Sequence, residues 1–359
     1  MATYQKEIED QYKLRLRKIT SELPAFLDGY FMSITSKSLR TQISYARDIL
    51  TFFKFITLEN PLYKNYQVKD IPYDLLQKLT PSDIDEYIKF LDIYFIEGKK
   101  YTNDAASKAR KLSVLNNMFT FYNTRNYFYN NPVSAVIRPK IHEKAVVALD
   151  QDQIYELVEM ISNPKGLSER SLKSHQKTVE RDLAIVCVFL GTGIRVSELV
   201  GLNIDDINFK DMSLRIIRKG GDEKRVYFNE DVTEALLSYI GIESEEDEEP
   251  IYSPRTMLLG SNTEEKALFI SMKGRRMAVR SIETMIEKYT SCLCINKKIT
   301  PHKLRSTYAT EIYRQTGDIY LVSSSLDHKN INTSKKYTRQ DEERKKQAAG
   351  IITLKAKEH

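Results

Sequence analysis

A proline and a stretch without periodicity divide this chain into two parts. Asn131-Pro132 is expected to end the last helix of the first part, because proline cannot continue a helix. Residues 133–147 show no clear apolar period and are interpreted as an interdomain linker. The 359 residues suffice for two domains of ordinary size. The sequence therefore predicts an α-helical domain over residues 1–132 and a second domain over residues 148–359.

Helical periodicity dominates both predicted domains. Apolar residues recur at helical spacing from residue 45 to residue 56, and residues 181–190 are expected to form an apolar core helix. Residues 213–218 and 224–228 are predicted to be two strands around a glycine turn. Three helix starts are expected at the capping residues Ser38, Thr80 and Asp150. The expected fold is mainly α, with a small antiparallel β-sheet in the second domain.

The charge distribution favours a polyanionic partner. The formal net charge is +6 with a pI near 8.9, and residues 1–140 carry 21 Lys+Arg against 15 Asp+Glu. Residues 243–249 hold six acids in seven positions and are interpreted as a solvated loop. At the start of one predicted helix, Lys108, Arg110 and Lys111 form a basic cluster. This cluster either grips phosphates or belongs to an ordinary solvated helix face.

Cysteine usage and the absence of long apolar runs predict a cytoplasmic protein. The three cysteines are Cys187, Cys292 and Cys294, an odd and low number that argues against a disulfide framework. The Cys292–Cys294 pair is interpreted as packing, because no further Cys or His cluster completes a metal site around it. The first residues are polar, unlike a signal peptide, and no apolar run approaches the ~20 residues of a membrane span. We therefore expect no metal, no cofactor and no membrane contact.

Two arginines and a tyrosine suit chemistry on a phosphodiester. Arg195 follows a Gly-Thr-Gly turn at a predicted helix start, and Glu198, one helical turn on, is placed to orient it. His302 and Arg305 are three residues apart, so on a helix they face the same way. Arginine stays protonated, and its planar fork matches two phosphate oxygens. Tyr337 is the candidate nucleophile, although a phenol with a pKa near ~10 needs neighbouring cations and a base.

A lysine and a further histidine complete the candidate set. Lys219 lies in the predicted hairpin turn, where a flexible amine can protonate a leaving oxygen. Lys224 and Arg225, just after the turn, compete with it for this role. His328 can donate to the phosphate or help to move protons.

Each of these residues has an ordinary explanation when taken alone. A His–Arg pair at this spacing is commonly an exposed surface pair, an arginine is common at a helix start, and the chain holds 22 tyrosines. The order and spacing of the whole set favour the functional interpretation.

The whole set resembles the tyrosine recombinase (phage-integrase-like) family, and looks most similar to the Xer-type single recombinases of Gram-positive bacteria. The motifs that carry the resemblance are Thr192-Gly193-Ile194-Arg195-Val196-Ser197-Glu198-Leu199, Lys219, His302-Lys303-Leu304-Arg305, Leu326-Asp327-His328 and Tyr337. Residues 30–132 are similar, more loosely, to the family's core-binding domain. Two positions depart from the family pattern: Asp327 replaces a glycine and Ser334 replaces a threonine. An acid at position 327 is expected to point away from the phosphate or to pair with a lysine such as Lys329.

The resemblance implies a two-domain DNA clamp that exchanges strands without metal or cofactor. Tyr337 would attack the scissile phosphate and form a 3′-phosphotyrosyl bond, and Lys219 would protonate the leaving 5′-hydroxyl. The residues implied to hold the phosphate are Arg195, His302, Arg305 and, in an assisting role, His328. Residues 340–359 look helical and apolar, and would dock either on their own domain or into a neighbouring protomer.

The resemblance also implies partners and a biological role. The implied substrate is double-stranded DNA with an inverted-repeat recombination site, bound by a homotetramer on two duplexes. The need for a DNA translocase or accessory factor is left open. The implied role is chromosome-dimer resolution, and the alternative is an integrase or excisionase of a phage or mobile element. Two rival classes are a type IB topoisomerase and a non-catalytic DNA-binding protein on the same scaffold.

Overall fold

The computed structural model describes most of the chain in two compact units. The units comprise residues 1–143 and 144–359, so the division falls inside the segment interpreted as a linker. The described residues are 2–127, 130–141, 145–166, 168–218, 221–241, 253–293, 297–327, 330–334 and 337. The predictions for Lys219, His328, the acidic run 243–249 and the segment 340–359 therefore lie outside the described residues.

The first unit is built mainly from helices. Its helix caps form as predicted: the Ser38 hydroxyl accepts from the Thr41 backbone N–H, and Thr80 forms a reciprocal capping box with Asp83. The predicted apolar stripe is buried, with Ile49, Phe52, Phe53 and Ile56 at most 1% exposed. The helices are α1 (Ala2–Thr20), α2 (Asp28–Ser33), α3 (Leu39–Glu59), α4 (Leu75–Lys78), α5 (Pro81–Phe90) and α6 (Ala105–Thr124).

The last helix of this unit ends earlier than predicted. Helix α6 stops at Thr124, and Asn126 follows in the left-handed region at φ +57°. Asparagine tolerates this conformation and turns the chain away from the helix. Pro132 instead starts a short 3₁₀ turn, Pro132–Ala135, and Val133 packs in the core of the first unit. The expectation that Asn131-Pro132 ends the helix was wrong.

A β-hairpin interrupts the helical pattern of the first unit, and the sequence reading did not predict it. Strands β1 (Tyr94–Ile96) and β2 (Lys99–Tyr101) pair antiparallel. Glu97 and Gly98 both have positive φ, at 52° and 72°, which suits a two-residue hairpin turn. The rings of Tyr94 and Tyr101 stack at 5.3 Å across the pair. Three-residue strands are too short to show a clear period of two.

The second unit combines nine helices with one three-stranded antiparallel sheet among its described residues. The strands are β3 (Ile207–Asn208), β4 (Ser213–Ile217) and β5 (Glu223–Tyr227), in the order β3-β4-β5. The two predicted strands are confirmed, with Ser213 opposite Tyr227 and Ile217 opposite Glu223. The helices are α7 (Gln151–Ser162), α8 (Glu169–His175), α9 (Val179–Thr192), α10 (Val196–Gly201), α11 (Glu230–Ile240), α12 (Pro254–Leu259), α13 (Val279–Thr290), α14 (Pro301–Thr316) and α15 (Ile319–Ser325).

Helix α9 is the buried centre of the second unit. Its residues Ala184, Ile185, Val188 and Phe189 are fully buried, as predicted for the apolar run. The predicted cap at Asp150 is also confirmed, because Asp150 and Gln153 form a capping box at the start of α7. The mainly α fold with small antiparallel sheets is therefore confirmed. Among the described helices, none combines the length and apolar character that crossing a membrane requires.

Candidate active site

A short turn between α9 and α10 positions Arg195. Helix α9 ends at Gly193 in the left-handed conformation, and Arg195 precedes the first residue of α10. Glu198, which is buried, accepts from the Arg195 backbone N–H at 2.7 Å and from its guanidinium Nη1 at 2.8 Å. The Arg195 side chain stays 43% exposed. The carboxylate therefore orients a guanidinium that solvent, and a ligand, can reach.

Only glycine fits at position 193, both because of its backbone conformation and because no room is left for a side chain. Its φ is +61°, a region that side chains with Cβ rarely adopt. A Cβ at this position would lie 2.2 Å from Cδ1 of Tyr308, on the neighbouring helix α14. The close approach brings the backbone of the turn against α14, which carries His302 and Arg305.

Arg305 joins the turn to the end of α15. The side chain is buried, and its guanidinium donates to the carbonyl oxygen of Gly193 and, at 2.6 Å, to that of Leu326. Burial lowers the pKa of Arg305 to about 10, and the neighbouring cations Arg195 and Arg218 act in the same direction. The group still carries its proton at neutral pH. A buried cation with like charges beside it is well prepared to receive an anion.

Tyr337 packs into the same corner of the second unit. It is 3% exposed and lies in an apolar cluster with Ala309, Val322 and Leu326. Its backbone N–H donates to the Ser334 carbonyl at 2.9 Å. Its phenol is close enough to Arg305 to contribute to the pKa of that guanidinium, as Glu198 does. Arg195, Arg305 and Tyr337, separated by up to 142 residues in the sequence, therefore belong to one site.

His302 lies in the first turn of α14, three residues before Arg305. The residue is exposed, and its carbonyl accepts from the Ser306 hydroxyl at 3.0 Å. The predicted helical spacing of His302 and Arg305 is confirmed, since both are on α14. The imidazole thus lies at the rim of the site while the guanidinium of Arg305 lies inside it.

The competitors of Lys219 lie on strand β5. Arg225 is paired with Asp211 at 3.5 Å, on the β3–β4 connection. Lys224 is exposed on the same strand. Both residues are held by the sheet ladder opposite β4.

Arg218 is a member of the site that the sequence reading did not select. It is buried, and its Nη1 lies 3.2 Å from the Leu326 carbonyl oxygen and 3.1 Å from Oδ2 of Asp327. The expected partner of Asp327 was a lysine such as Lys329, and the described partner is Arg218. The available sequence signal was the position of Arg218 directly before Lys219.

The basic cluster on α6 is not a free phosphate grip. Lys108 pairs with Asp92 at 2.6 Å, and Lys111 pairs with Asp48 at 2.9 Å. Arg110 holds the same Asp48 carboxylate through both of its terminal nitrogens. Lys108 and Lys111 are buried and so do not lie on a solvated helix face, whereas the Arg110 side chain is 50% exposed. Long-range ion pairing, which local spacing does not reveal, explains the cluster.

A match to a family model decides the classification of this chain. The model describes the phage integrase family and matches residues 148–344, more than half of the 359 residues. The chain belongs to the phage integrase family.

Similar members of this family are tyrosine recombinases. The tyrosine recombinase XerC of Thermodesulfovibrio yellowstonii is 30% identical over 74% of this chain and 80% of its own length. The tyrosine recombinase XerS of Streptococcus gordonii is 28% identical over 90% of this chain and 94% of its own. The resemblance drawn from the motifs is confirmed. The chain is an enzyme that breaks and rejoins DNA in site-specific recombination.

Two solved structures share the fold of this phage integrase family member. XerH bound to its difH substrate before cleavage superimposes with a TM-score of 0.60 at 19% identity, covering 90% of this chain and 83% of that one. A lambda integrase dimer bound to a COC′ core site gives a TM-score of 0.60 at 16% identity, covering 93% and 99%. The fold expected from the motifs is the fold of these recombinases.

Proposed function

We propose that this protein is a Xer-like recombinase that resolves chromosome dimers through a 3′-phosphotyrosyl intermediate. The convergence on Arg305 carries the proposal, because the charge of Arg195 and the phenol of Tyr337 both act on the buried Arg305 guanidinium. Similarity to XerC and XerS proteins over up to 91% of this chain favours the chromosomal role over a phage or mobile-element integrase.

The proposed first step is attack by the Tyr337 phenol oxygen on the scissile phosphorus. A new P–O bond to tyrosine forms, and the bond from phosphorus to the 5′-oxygen breaks. Lys219 donates a proton to the leaving 5′-oxygen, and the phenol proton passes to an imidazole, with His302 and His328 as the candidates. In the second step the free 5′-hydroxyl of a partner strand attacks the phosphotyrosine and releases Tyr337. The number of phosphoester bonds is unchanged, so no external energy source is required.

The arginines of the site would stabilise the charge that builds on the phosphate. Attack adds negative charge to the non-bridging oxygens, and fixed cations at those oxygens lower the barrier. Arg195 is half-exposed and held by Glu198, so it can contact the phosphate directly. Arg305 is held by two carbonyl oxygens and supports the site from within. His302 at the rim and His328 would add hydrogen bonds to the same oxygens.

Tyr337 must become accessible for this chemistry. The side chain is 3% exposed, and a buried phenol cannot approach a phosphate on a duplex. We therefore propose that DNA binding draws the segment carrying Tyr337 out of its contact with Ala309, Val322 and Leu326. Protomers of this enzyme would assemble as a homotetramer on two duplexes, and residues 340–359 would dock between protomers. A lambda integrase tetramer bound to a Holliday junction, with a TM-score of 0.60, has the same fold.

The unit of residues 1–143 would serve as the core-binding domain and that of 144–359 as the catalytic domain. The excess of basic residues in the first 140 supports contact with the DNA backbone. Phosphate contacts would dominate the affinity, which should fall as the salt concentration rises.

The proposal is tested with a nicked duplex that traps the covalent intermediate. Purified protein is incubated with a candidate chromosome-dimer site from its own genome, and the product is run on a denaturing protein gel. A DNA-linked band is expected for the native protein and for Tyr320→Phe, an exposed tyrosine on α15 that serves as the matched control. No band is expected for Tyr337→Phe. A DNA-linked band with Tyr337→Phe would show that Tyr337 is not the nucleophile. A band formed only with a mobile-element attachment site would overturn the chromosomal role.

A further inference from the structure

Position 327 carries an acid beside the cations of the site, and Arg218 holds it. Asp327 follows the last residues of α15, with its carboxylate 3.1 Å from Nη1 of Arg218 and its side chain 45% exposed. Arg218 directly follows the last residue of strand β4 and is only 7% exposed in its side chain. The partners are 109 positions apart, so the ion pair joins the β4–β5 hairpin to the end of α15.

The backbone around Asp327 is in a conformation that favours glycine. Asp327 has φ +50°, in the left-handed region. An aspartate costs about 1 kcal/mol there relative to a residue without Cβ. The ion pair with Arg218 offsets this conformational cost. A charged contact thus holds a turn that glycine would adopt without assistance.

The same arginine also shares an acceptor with Arg305. The Leu326 carbonyl oxygen receives Nη2 of Arg305 at 2.6 Å and Nη1 of Arg218 at 3.2 Å. The Nε of Arg218 is buried without a hydrogen-bond partner among the described residues. The described contacts of the Arg218 guanidinium are therefore those of Nη1, with the two consecutive residues Leu326 and Asp327. The backbone of Arg218 belongs to the β4–β5 hairpin, where its N–H donates to the Asp222 carbonyl at 2.9 Å, so the side chain links that hairpin to the end of α15.

A carboxylate at position 327 would oppose the chemistry of the site if it were uncompensated. The site must accept a phosphate whose negative charge increases during attack, and a like charge nearby disfavours it. Arg218 is close enough to Arg305 to lower the pKa of that guanidinium, so its charge is felt inside the site. Pairing with Arg218 leaves the two residues with no net charge.

We propose that Arg218 and Asp327 are a positioning pair for the cleavage reaction, which presupposes the recombinase function proposed above. The pair joins the residue after β4 to the end of α15, and each partner directly precedes a proposed catalytic residue in the sequence, Lys219 or His328. It also cancels the charge that the acid at position 327 brings to the phosphate site. Neither residue contacts the phosphate.

A double-mutant cycle tests this pair with the nicked duplex described above. The variants are Arg218→Met, Asp327→Asn and both together, since methionine fills the space of the stem and asparagine tolerates positive φ. Arg218→Met should slow covalent product formation about 30-fold, because it loses the tether and leaves the carboxylate uncompensated. Asp327→Asn should slow it about threefold. The double variant should stay within about fivefold of the native rate, since asparagine removes the uncompensated charge.

Rescue by the second substitution is the result that separates compensation of the charge at position 327 from mere support of the fold. The smaller loss that Asp327→Asn and the double variant share measures the tether. An arginine that only stabilised the fold would give losses that multiply, to about 90-fold in the double variant, and that outcome would overturn the proposal. Affinity for the duplex, measured by gel shift, should change by less than about twofold in all three variants, because the proposed pair acts on the cleavage step and not on binding. A parallel loss of affinity and cleavage would also overturn it.

Two further proteins keep the test decisive. Arg314→Met removes an arginine that pairs with Glu311 at 2.9 Å near the far end of α14, and should cleave at the native rate. Arg218→Lys replaces Arg218→Met if the latter does not fold, and should lose about fivefold because an ammonium cannot hold both acceptors in a fixed plane. If Arg218→Lys cleaved at the rate of the native protein, the proposed role of the pair would be wrong. If the native protein forms no covalent product, the proposed recombinase function itself is wrong. If the native protein cleaves and the variants cleave equally well, only the proposed role of the pair is wrong.

Discussion

Glu198 holds Arg195 at two points. One carboxylate oxygen accepts from the Arg195 backbone N–H at 2.7 Å, and the other accepts from its guanidinium at 2.8 Å. The acid is buried whereas the arginine is half-exposed, so the inner residue sets the direction of the outer one. The contact caps α10 and orients the guanidinium at the same time.

Removing this acid should reduce both cleavage and folding stability. Glu198→Ala frees the Arg195 guanidinium to sample other rotamers, and we expect cleavage to fall about 50-fold, with a loss of about 1–3 kcal/mol in unfolding free energy. Glu198→Gln removes the charge and retains only one of the two hydrogen bonds, because its amide nitrogen cannot accept, and should lose about tenfold in rate. The nicked-duplex assay and urea unfolding measure the two effects. Equal rates for the native protein and the alanine variant would contradict the orienting role.

Substitution of Gly193 should unfold the second unit far more readily than substitution of another glycine with positive φ. Gly193→Ala meets the Tyr308 ring at 2.2 Å, and we expect a loss of more than about 3 kcal/mol. Gly166 has φ +78° with no atom within 4 Å of a built Cβ, so Gly166→Ala serves as the matched control and should cost about 1 kcal/mol. Urea unfolding compares them. A similar loss in both variants would show that backbone conformation alone matters.

Lys111 should contribute to folding stability and not to DNA affinity. Its ammonium is buried against Asp48, so Lys111→Met leaves a buried carboxylate with Arg110 as its remaining cation. We expect a loss of about 2–3 kcal/mol in unfolding free energy. The salt dependence of DNA binding should be unchanged, whereas loss of a phosphate contact lowers its slope by about one. The exposed Lys100, changed to methionine, is the control and should alter stability by less than about 0.5 kcal/mol.

The buried His175 should make the second unit less stable in mild acid. Burial, followed by the charge of Lys288, lowers the pKa of His175, whose ring nitrogen lies 3.1 Å from the Tyr289 hydroxyl. Asp182 and Glu180 oppose this shift without cancelling it. The unfolded state then takes up a proton below pH ~6.5 that the folded state resists, so stability is full above that pH and is lost as the pH falls.

The comparison of His175→Gln with the native protein isolates this effect. Thermal melting at pH 7.5 and pH 5.5 should show a larger drop in Tm for the native protein than for the variant. Glutamine does not titrate but can still bond to Tyr289, so it separates protonation from the loss of the contact. Equal drops in the two proteins would assign the acid sensitivity to other groups.

Local patterns in the sequence predicted the helices and most of the candidate site. The caps at Ser38, Thr80 and Asp150 form as expected, because a cap depends on residues three positions apart. The three-residue spacing of His302 and Arg305 likewise predicted that both lie on one face of a helix, and both are on α14. The prediction that Asn131-Pro132 ends the last helix of the first unit was wrong, because the chain turns away from α6 at Asn126, whose backbone is left-handed.

These local patterns did not predict the ion pairs of the basic cluster on α6. Lys108, Arg110 and Lys111 look like a phosphate grip in the sequence, and their acidic partners are 16 to 63 positions away. The hairpin at Tyr94–Tyr101 was missed for a different reason, because three-residue strands are too short to show alternation and are stabilised by cross-strand pairing and ring stacking.

The sequence by itself determined the order of the reactive groups and the helix starts that carry Arg195 and Arg305. Only the tertiary structure decided that the Gly193 and Leu326 carbonyls both accept hydrogen bonds from Arg305. It also decided that Tyr337 is buried and that Asp327 forms an ion pair with Arg218. The physical reason is the range of the interactions. Capping and helical periodicity act over a few residues, whereas packing, burial and ion pairing join segments distant in the sequence, such as Gly193 and Arg305, whose approach depends on the whole fold.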